Sequence, residues 1–255
     1  MITLKSKREI ELMRVASRIV TEILEELRAA CSPGVTTGDL DRISEEATRR
    51  HHAQPAFKGY RGFPHALCAS INQEVVHGIP GSRELKDGDI VGLDFGVITD
   101  GYYGDAAITV PIGQVTPEVT RLLRVTEECL YRGIEQMVPG NHLSDISRAV
   151  QNHAESHGYS VVREFGGHGI GRRLHEDPMV LNYVHDGPGV KLRPGLVLAI
   201  EPMINMGTES VKVLKDGWTV VTIDGKPSAH FEHTVAVTDN GPDILSKLET
   251  IVRDS

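Results

Sequence analysis

Two pairs of segments repeat at nearly one offset. Residues 85–94, LKDGDIVGLD, match residues 192–201, LRPGLVLAIE, at an offset of 107. Residues 33–40, PGVTTGDL, match residues 139–146, PGNHLSDI, at an offset of 106: Pro-Gly, four residues, then Asp and an aliphatic. A basic residue and a glycine ahead of a strand form a common turn signal, so either match alone carries little weight. Two matches in the same order point to an internal duplication. The period is too long for a solenoid and there are two copies, which favours one pseudo-symmetric α+β unit.

Periodicity fills in the elements. Ser6 and Glu9 form a capping-box pattern, and Ile10, Met13, Ala16, Ile19, Val20, Ile23, Leu24 and Leu27 recur at helical spacing. CSPG at 31–34 ends that helix. A second helix is expected over about 37–51, and two more near 117–137 and 144–157. Residues 66–110 are mostly β in character. Strands and loops return after about 159, with a short helix near the C-terminus. The order is therefore helix–helix–strands, twice over, with repeats at about 32–110 and 138–237 inside a single domain, 1–255.

Composition excludes several classes. A net charge of −8 lacks the basic face that a nucleic-acid grip requires. The basic clusters at Lys5–Arg8, Arg49-Arg50 and Arg172-Arg173 read as solvated surface. Three widely spaced cysteines, Cys31, Cys68 and Cys129, favour free thiols in a reducing compartment over a disulfide framework. The N-terminal stretch becomes charged too early for a signal peptide, and nothing approaches the ~20 apolar residues of a membrane span. A cytoplasmic protein is expected.

The chemistry lies in carboxylates that interrupt apolar strands. Asp94 and Asp105 flank a TDG turn signal in VGLDFGVITDGYYGDAAITV. A Thr99-Asp100 turn sets the two directly opposite, and an Asp100-Gly101 turn sets them diagonally. In either register they share one face, roughly 5 to 8 Å apart. Like charges so placed share a proton or bind a cation. The duplication aligns Asp94 with Glu201, which ends the apolar run LVLAIE; Glu232 opens another apolar strand. His168 stands among Gly166, Gly167, Gly169 and Gly171, without the spacing of a dinucleotide or phosphate loop. Four carboxylates and an imidazole suit Mn, Fe, Co or Zn. They are too many for one zinc and fit a two-metal hydrolytic centre. A Ca²⁺ site is the competitor, but it rarely recruits His, and no D-x-D-x-D loop is present.

HGIP (77–80), LDFGVITDGYYGD (93–105), GGHGIGRRLHEDP (166–178), AIEPM (199–203) and FEHTVAV (231–237) together resemble the type I methionine aminopeptidases, over nearly the whole chain. The resemblance implies the pita-bread fold, an antiparallel sheet covered by helices with internal pseudo-two-fold symmetry, and a dinuclear metal centre on that axis. It implies that Asp94 holds one divalent ion, that Asp105 and Glu232 bridge both, and that His168 and Glu201 complete the second. It implies further that Glu201 shuttles the proton of the attacking water. His77 and His175 would hydrogen-bond the substrate and its tetrahedral intermediate. Phe57, Tyr60, Phe63, Cys68 and Trp218 would line the methionine pocket. Leu174 and Phe63 depart from the residues frequent at their positions. Asn72 and Ser228 match positions near a monovalent-cation site.

The implied activity is metal-dependent removal of the initiator methionine from peptides and nascent chains when the second residue is small. A monomer is expected, with transient ribosome contact through the basic clusters. One rival is another pita-bread hydrolase of the Xaa-Pro peptidase kind, which carries a large N-terminal domain ahead of the catalytic one. The rival of another class is a non-catalytic pita-bread binding protein, which would be expected to have lost the ligands this chain retains.

Overall fold

The computed structural model describes residues 2–247. Helix α1 (Lys7–Ala30) opens with the expected capping box, Ser6 accepting from Glu9 N–H while the Glu9 carboxylate accepts from Ser6 N–H. Its periodic residues, Met13 to Leu27, are the ones that become buried. Helix α2 (Thr37–Arg50) has its own capping box from Thr36 and Asp39. Helices α3 (Pro117–Ile134) and α4 (Leu143–Ser156) follow in the second half. The short helix expected near the C-terminus falls outside the described residues, which end in a strand and turn.

The first-half strands are β1 (Gln54–Pro55), β2 (Leu67–Ile71), β3 (Glu74–Val76), β4 (Ile90–Thr99) and β5 (Tyr102–Pro111). The second half contributes β6 (Ser160–Val161), β7 (Gly167–Gly169), β8 (Glu176–Val180), β9 (Val197–Ile200), β10 (Met203–Asn205), β11 (Val211–Val213), β12 (Val220–Thr222), β13 (Ser228–His230), β14 (Glu232–Thr238) and β15 (Gly241–Ile244). The main sheet runs β1-β4-β5-β14-β9-β7-β8, with β2 also on β4 and β15 also on β14, and its pairings are antiparallel. The halves meet where β5 joins β14, through Glu232↔Ala107 and His233↔Ala106. On either side of that junction the order mirrors: β5-β4-β2 one way, β14-β9-β7 the other.

Local contacts repeat as well. Thr36 bridges Glu84, and His142 bridges Lys191, at offsets of 106 and 107 residues. Gly34 N–H donates to the Leu85 carbonyl, and Gly140 N–H to that of Leu192. Gly88 and Gly195 both take φ of +91°, the left-handed turn that glycine tolerates before each repeated strand.

Strand alternation then sorts the residues. Val91, Leu93, Phe95 and Val97 of β4 and Ala106 and Val110 of β5 join α1 and α2 in one core. Leu198 and Ile200 of β9 and Val235 and Val237 of β14 join α3 and α4 in its counterpart. Asp94, Asp105, Glu201 and Glu232 have the opposite parity. They project from the sheet face that the helices leave open.

One surface expectation fails. Lys5 is buried at 7% exposure, its ammonium 2.7 Å from the Glu176 carboxylate. An ammonium withdrawn from water requires such a partner, so the N-terminal basic cluster is not uniformly solvated. The cysteines are free, as expected. Among the described residues no helix is long and apolar enough to cross a membrane.

Candidate metal centre

The turn between β4 and β5 decides the geometry of the first two carboxylates. Asp100 and Gly101 have φ of +49° and +76°, the paired positive values of a type I′ hairpin. Thr99 therefore faces Tyr102, Ala107 faces Asp94, and Gly96 faces Asp105, which is the diagonal arrangement. Gly96 is needed there, because a Cβ would lie 3.1 Å from Asp105 Oδ1 and 3.0 Å from Phe57 Cε1.

Glu232 arrives opposite Ala107, immediately across from the Asp94 strand position. His168 is placed by β7, paired with Ala199 of β9. Its neighbour Gly167 has no room for a side chain, since a Cβ would sit 2.2 Å from the Ala199 carbonyl oxygen. His168 Nδ1–H donates to the Gly169 carbonyl at 2.9 Å, which leaves the Nε2 lone pair free. That nitrogen lies 3.6 Å from Glu201 Oε1 and 3.9 Å from Asp105 Oδ2. Ligand atoms of Asp105, His168 and Glu232 lie within 4.8 Å of one another.

Burial makes this cluster untenable by itself. It pushes Asp94 and Glu201 up to about 7 and Asp105 and Glu232 well above the usual carboxylate range. Asp94 and Glu201 raise Asp105 further, as Asp105 does Glu232. Asp94 Oδ1, Asp105 Oδ1 and Glu232 Oε1 are buried with no hydrogen-bond partner. Buried carboxylate oxygens without donors are costly, and divalent cations satisfy them directly. The donor set, oxygens plus one correctly oriented imidazole, fits such ions.

All twelve residues expected in the ligand, catalytic and pocket sets line one cavity of about 130 Å³. Phe63 meets Trp218 edge-to-face at 5.2 Å. Tyr60 stacks on His175 at 5.2 Å, with its hydroxyl 2.9 Å from His175 Nδ1. His175 in turn lies 4.2 Å, ring to ring, from His168. His77, half-buried, is lowered to about 4 by desolvation and His230; the ring of His175 reaches solvent at the cavity mouth, yet desolvation by the surrounding protein, with His168, still lowers it to about 3. Both rings are therefore neutral hydrogen-bonding groups. Burial keeps the Cys68 thiol protonated, so it serves as apolar wall. Leu174 lines the cavity as well.

The sequence reading missed two members. Arg61 lies at the cavity with its guanidinium 5.4 Å from the Tyr60 ring centroid. His230 is buried, with Nε2 3.5 Å from Glu201 Oε2. Its position two residues before Glu232 was the available signal, weakened because Phe231 separates two different strands. The main-chain N–H of Ser228 donates to the Asn72 carbonyl at 2.9 Å, so that expected pair is adjacent.

Comparison with known proteins places the chain in a family. Residues 11–239 match the model of metallopeptidase family M24. The chain is 54% identical to a methionine aminopeptidase of Clostridium perfringens, covering 98% of this chain and 100% of that one. It is 51% identical to methionine aminopeptidase 1 of Bacillus subtilis, covering 97% and 100%. The crystal structure of a methionine aminopeptidase from Thermotoga maritima superposes with a TM-score of 0.95 at 46% identity, over 97% of this chain and 100% of that one. The match runs along nearly the full length of these relatives in sequence and in fold, and the chain belongs to metallopeptidase family M24, among its methionine aminopeptidases.

Proposed function

We propose that the chain is a methionyl aminopeptidase that removes the initiator methionine from peptides and nascent proteins when the next residue is small. The observation that carries this reading is the floor of the cavity. Three buried carboxylate oxygens lack donors there, directly beneath an apolar pocket that includes Phe57, Phe63, Leu174 and Trp218. In this reading Asp94, Asp105, His168, Glu201 and Glu232 hold two divalent ions of the Co, Mn, Fe or Zn kind. Such a pair supplies Lewis-acid polarisation of the scissile carbonyl and lowers the pKa of the attacking water.

The chain's own groups divide the remaining work. Glu201, 3.6 Å from His168 Nε2 at the cavity floor, accepts the water's proton and passes it to the leaving amine. His77 and His175 are neutral and donate hydrogen bonds to the developing oxyanion. The Tyr60 hydroxyl beside His175 Nδ1 favours the tautomer that carries its proton on Nε2. The walls, with the polarisable thiol of Cys68, suit the unbranched thioether of methionine. A monovalent cation near Asn72 and Ser228, a single catalytic domain over 1–255, a monomeric state in the cytoplasm and transient ribosome contact belong to the same proposal.

The test is metal-dependent release of methionine from Met-Ala-type peptides, compared with Met-Xaa peptides of increasing Xaa size and with Xaa-Pro dipeptides. Fast release from Met-Ala that declines with Xaa size is expected. Faster cleavage of Xaa-Pro dipeptides would overturn the reading.

A further inference from the structure

The outer seam between α3 and α4 carries a second group of metal-ligating side chains, sharing no residue with the centre above. Glu128 projects from α3; His153 belongs to the last turn of α4, and His157 caps that helix. One ligand atom from each lies within 4.8 Å of the other two, and all three residues are half-buried. The imidazoles stand one helical turn apart, ring centroids 4.5 Å from each other. His153 Nε2 is 2.8 Å from Glu128 Oε2, and His157 Nδ1–H donates to the His153 carbonyl at 2.9 Å.

Two imidazoles and one carboxylate suit zinc and its neighbours in the transition series better than calcium or magnesium. Zinc holds nitrogen and oxygen donors at about 2.0–2.2 Å, so donors around one ion stand roughly 3.0–3.5 Å apart. Partly exposed side chains close from 4.8 Å to that spacing by rotation. The surrounding charges are compatible. Arg124 holds Glu128 through Oε1, which leaves Oε2 turned to His153. The His153 hydrogen bond, with Arg124, keeps the Glu128 carboxyl below its ordinary value and so ionised. Arg121 donates to the His157 carbonyl at 3.1 Å and opposes a cation, while the negative end of α4 favours one.

We propose that Glu128, His153 and His157 form a second cation site that takes one divalent ion of the zinc class and ties α4 to α3. The ion takes the place of the hydrogen between His153 Nε2 and Glu128 Oε2; the imidazole binds through Nε2 in the tautomer protonated on Nδ1, and any excess proton leaves to solvent.

Calorimetric titration with zinc, on the chain with its catalytic centre already zinc-loaded, tests this. The His153→Gln, His157→Gln double variant should bind one equivalent fewer than the wild type, and excess zinc should no longer raise its Tm. Glu128→Gln, which keeps a polar side chain in place, should weaken that equivalent at least about tenfold. Zinc-soaked crystals should show an anomalous peak between the three side chains. Unchanged peptidase turnover in the double variant would establish that it is folded. Equal zinc per chain in wild type and double variant, or a peak confined to the catalytic cavity, would overturn the proposal.

Discussion

Asp105 lies diagonally across the hairpin from Asp94, with Ala107 facing Asp94 and Gly96 facing Asp105. The offset leaves the position opposite Asp94 open on the far side of β5, where Glu232 pairs with the same Ala107. Three carboxylates thereby share one patch of sheet without any two being directly cross-strand neighbours. Substituting Asp105 by Asn should abolish turnover by at least about 10³-fold, because one ligand to both proposed ions is neutralised. At neutral pH the metal-free variant should also be more stable than the metal-free wild type by about 1–2 kcal/mol, since burial and the neighbouring carboxylates oblige Asp105, but not an amide, to take up a proton on folding. Urea unfolding of both chelated proteins, together with metal per chain, checks this; a less stable variant would refute the electrostatic account.

His77 is half-buried, and desolvation, with His230, lowers it to about 4. An imidazole kept neutral in the fold takes up a proton on unfolding between its ordinary value and its native one, so stability is lost as pH falls from about 6.5 toward 4. The loss is at most about 3 kcal/mol, less wherever solvent reaches the ring at the cavity mouth. His77→Asn removes the titration and should flatten the wild-type slope over that window. Its absolute stability should not fall, because His77 has φ of +60°, which Asn adopts more readily. Equal slopes in wild type and variant, from urea unfolding at three pH values, would rule out this role.

Tyr60 contributes one hydrogen bond to His175, at 2.9 Å. Tyr60→Phe keeps the stacked ring and removes the bond, a change of about 1 kcal/mol. A fall in kcat of about fivefold with KM nearly unchanged is expected, because the orientation of His175 matters most as charge develops. A rise in KM alone would instead assign Tyr60 to substrate binding.

Gly104 brings α1 against β5. A Cβ there would lie 2.5 Å from Ser17 N and 2.7 Å from Ala16 C, both main-chain atoms that cannot yield. Gly104→Ala should cost about 3 kcal/mol by forcing the helix from the sheet. Gly81→Ala, where nothing lies within 4 Å, is the control and should stay within about 0.5 kcal/mol. Thermal unfolding of the pair measures the difference.

Much of this was legible in the residues because its causes are local. The helix starts at Ser6 and Thr36 are written in capping residues three positions apart, and the burial of α1 in its periodicity. The repeated turns at Gly34–Leu85 and Gly140–Leu192 marked the duplication that aligned Asp94 with Glu201. The motifs pointed to the proposed ligand set through resemblance. The hairpin register stayed open between two turns until the positive φ values at Asp100 and Gly101 selected one. The burial of Lys5 depends on Glu176, and the role of His230 on Glu201; these partners are distant in the chain. Capping and alternation are set by residues within a turn of one another, so the amino-acid sequence by itself determined the elements and the parity of each carboxylate. The convergence of Asp105, His168 and Glu232 required β5 to pair with β14 and β7 with β9, and only the tertiary structure, by burying both helix-backed cores, decided that.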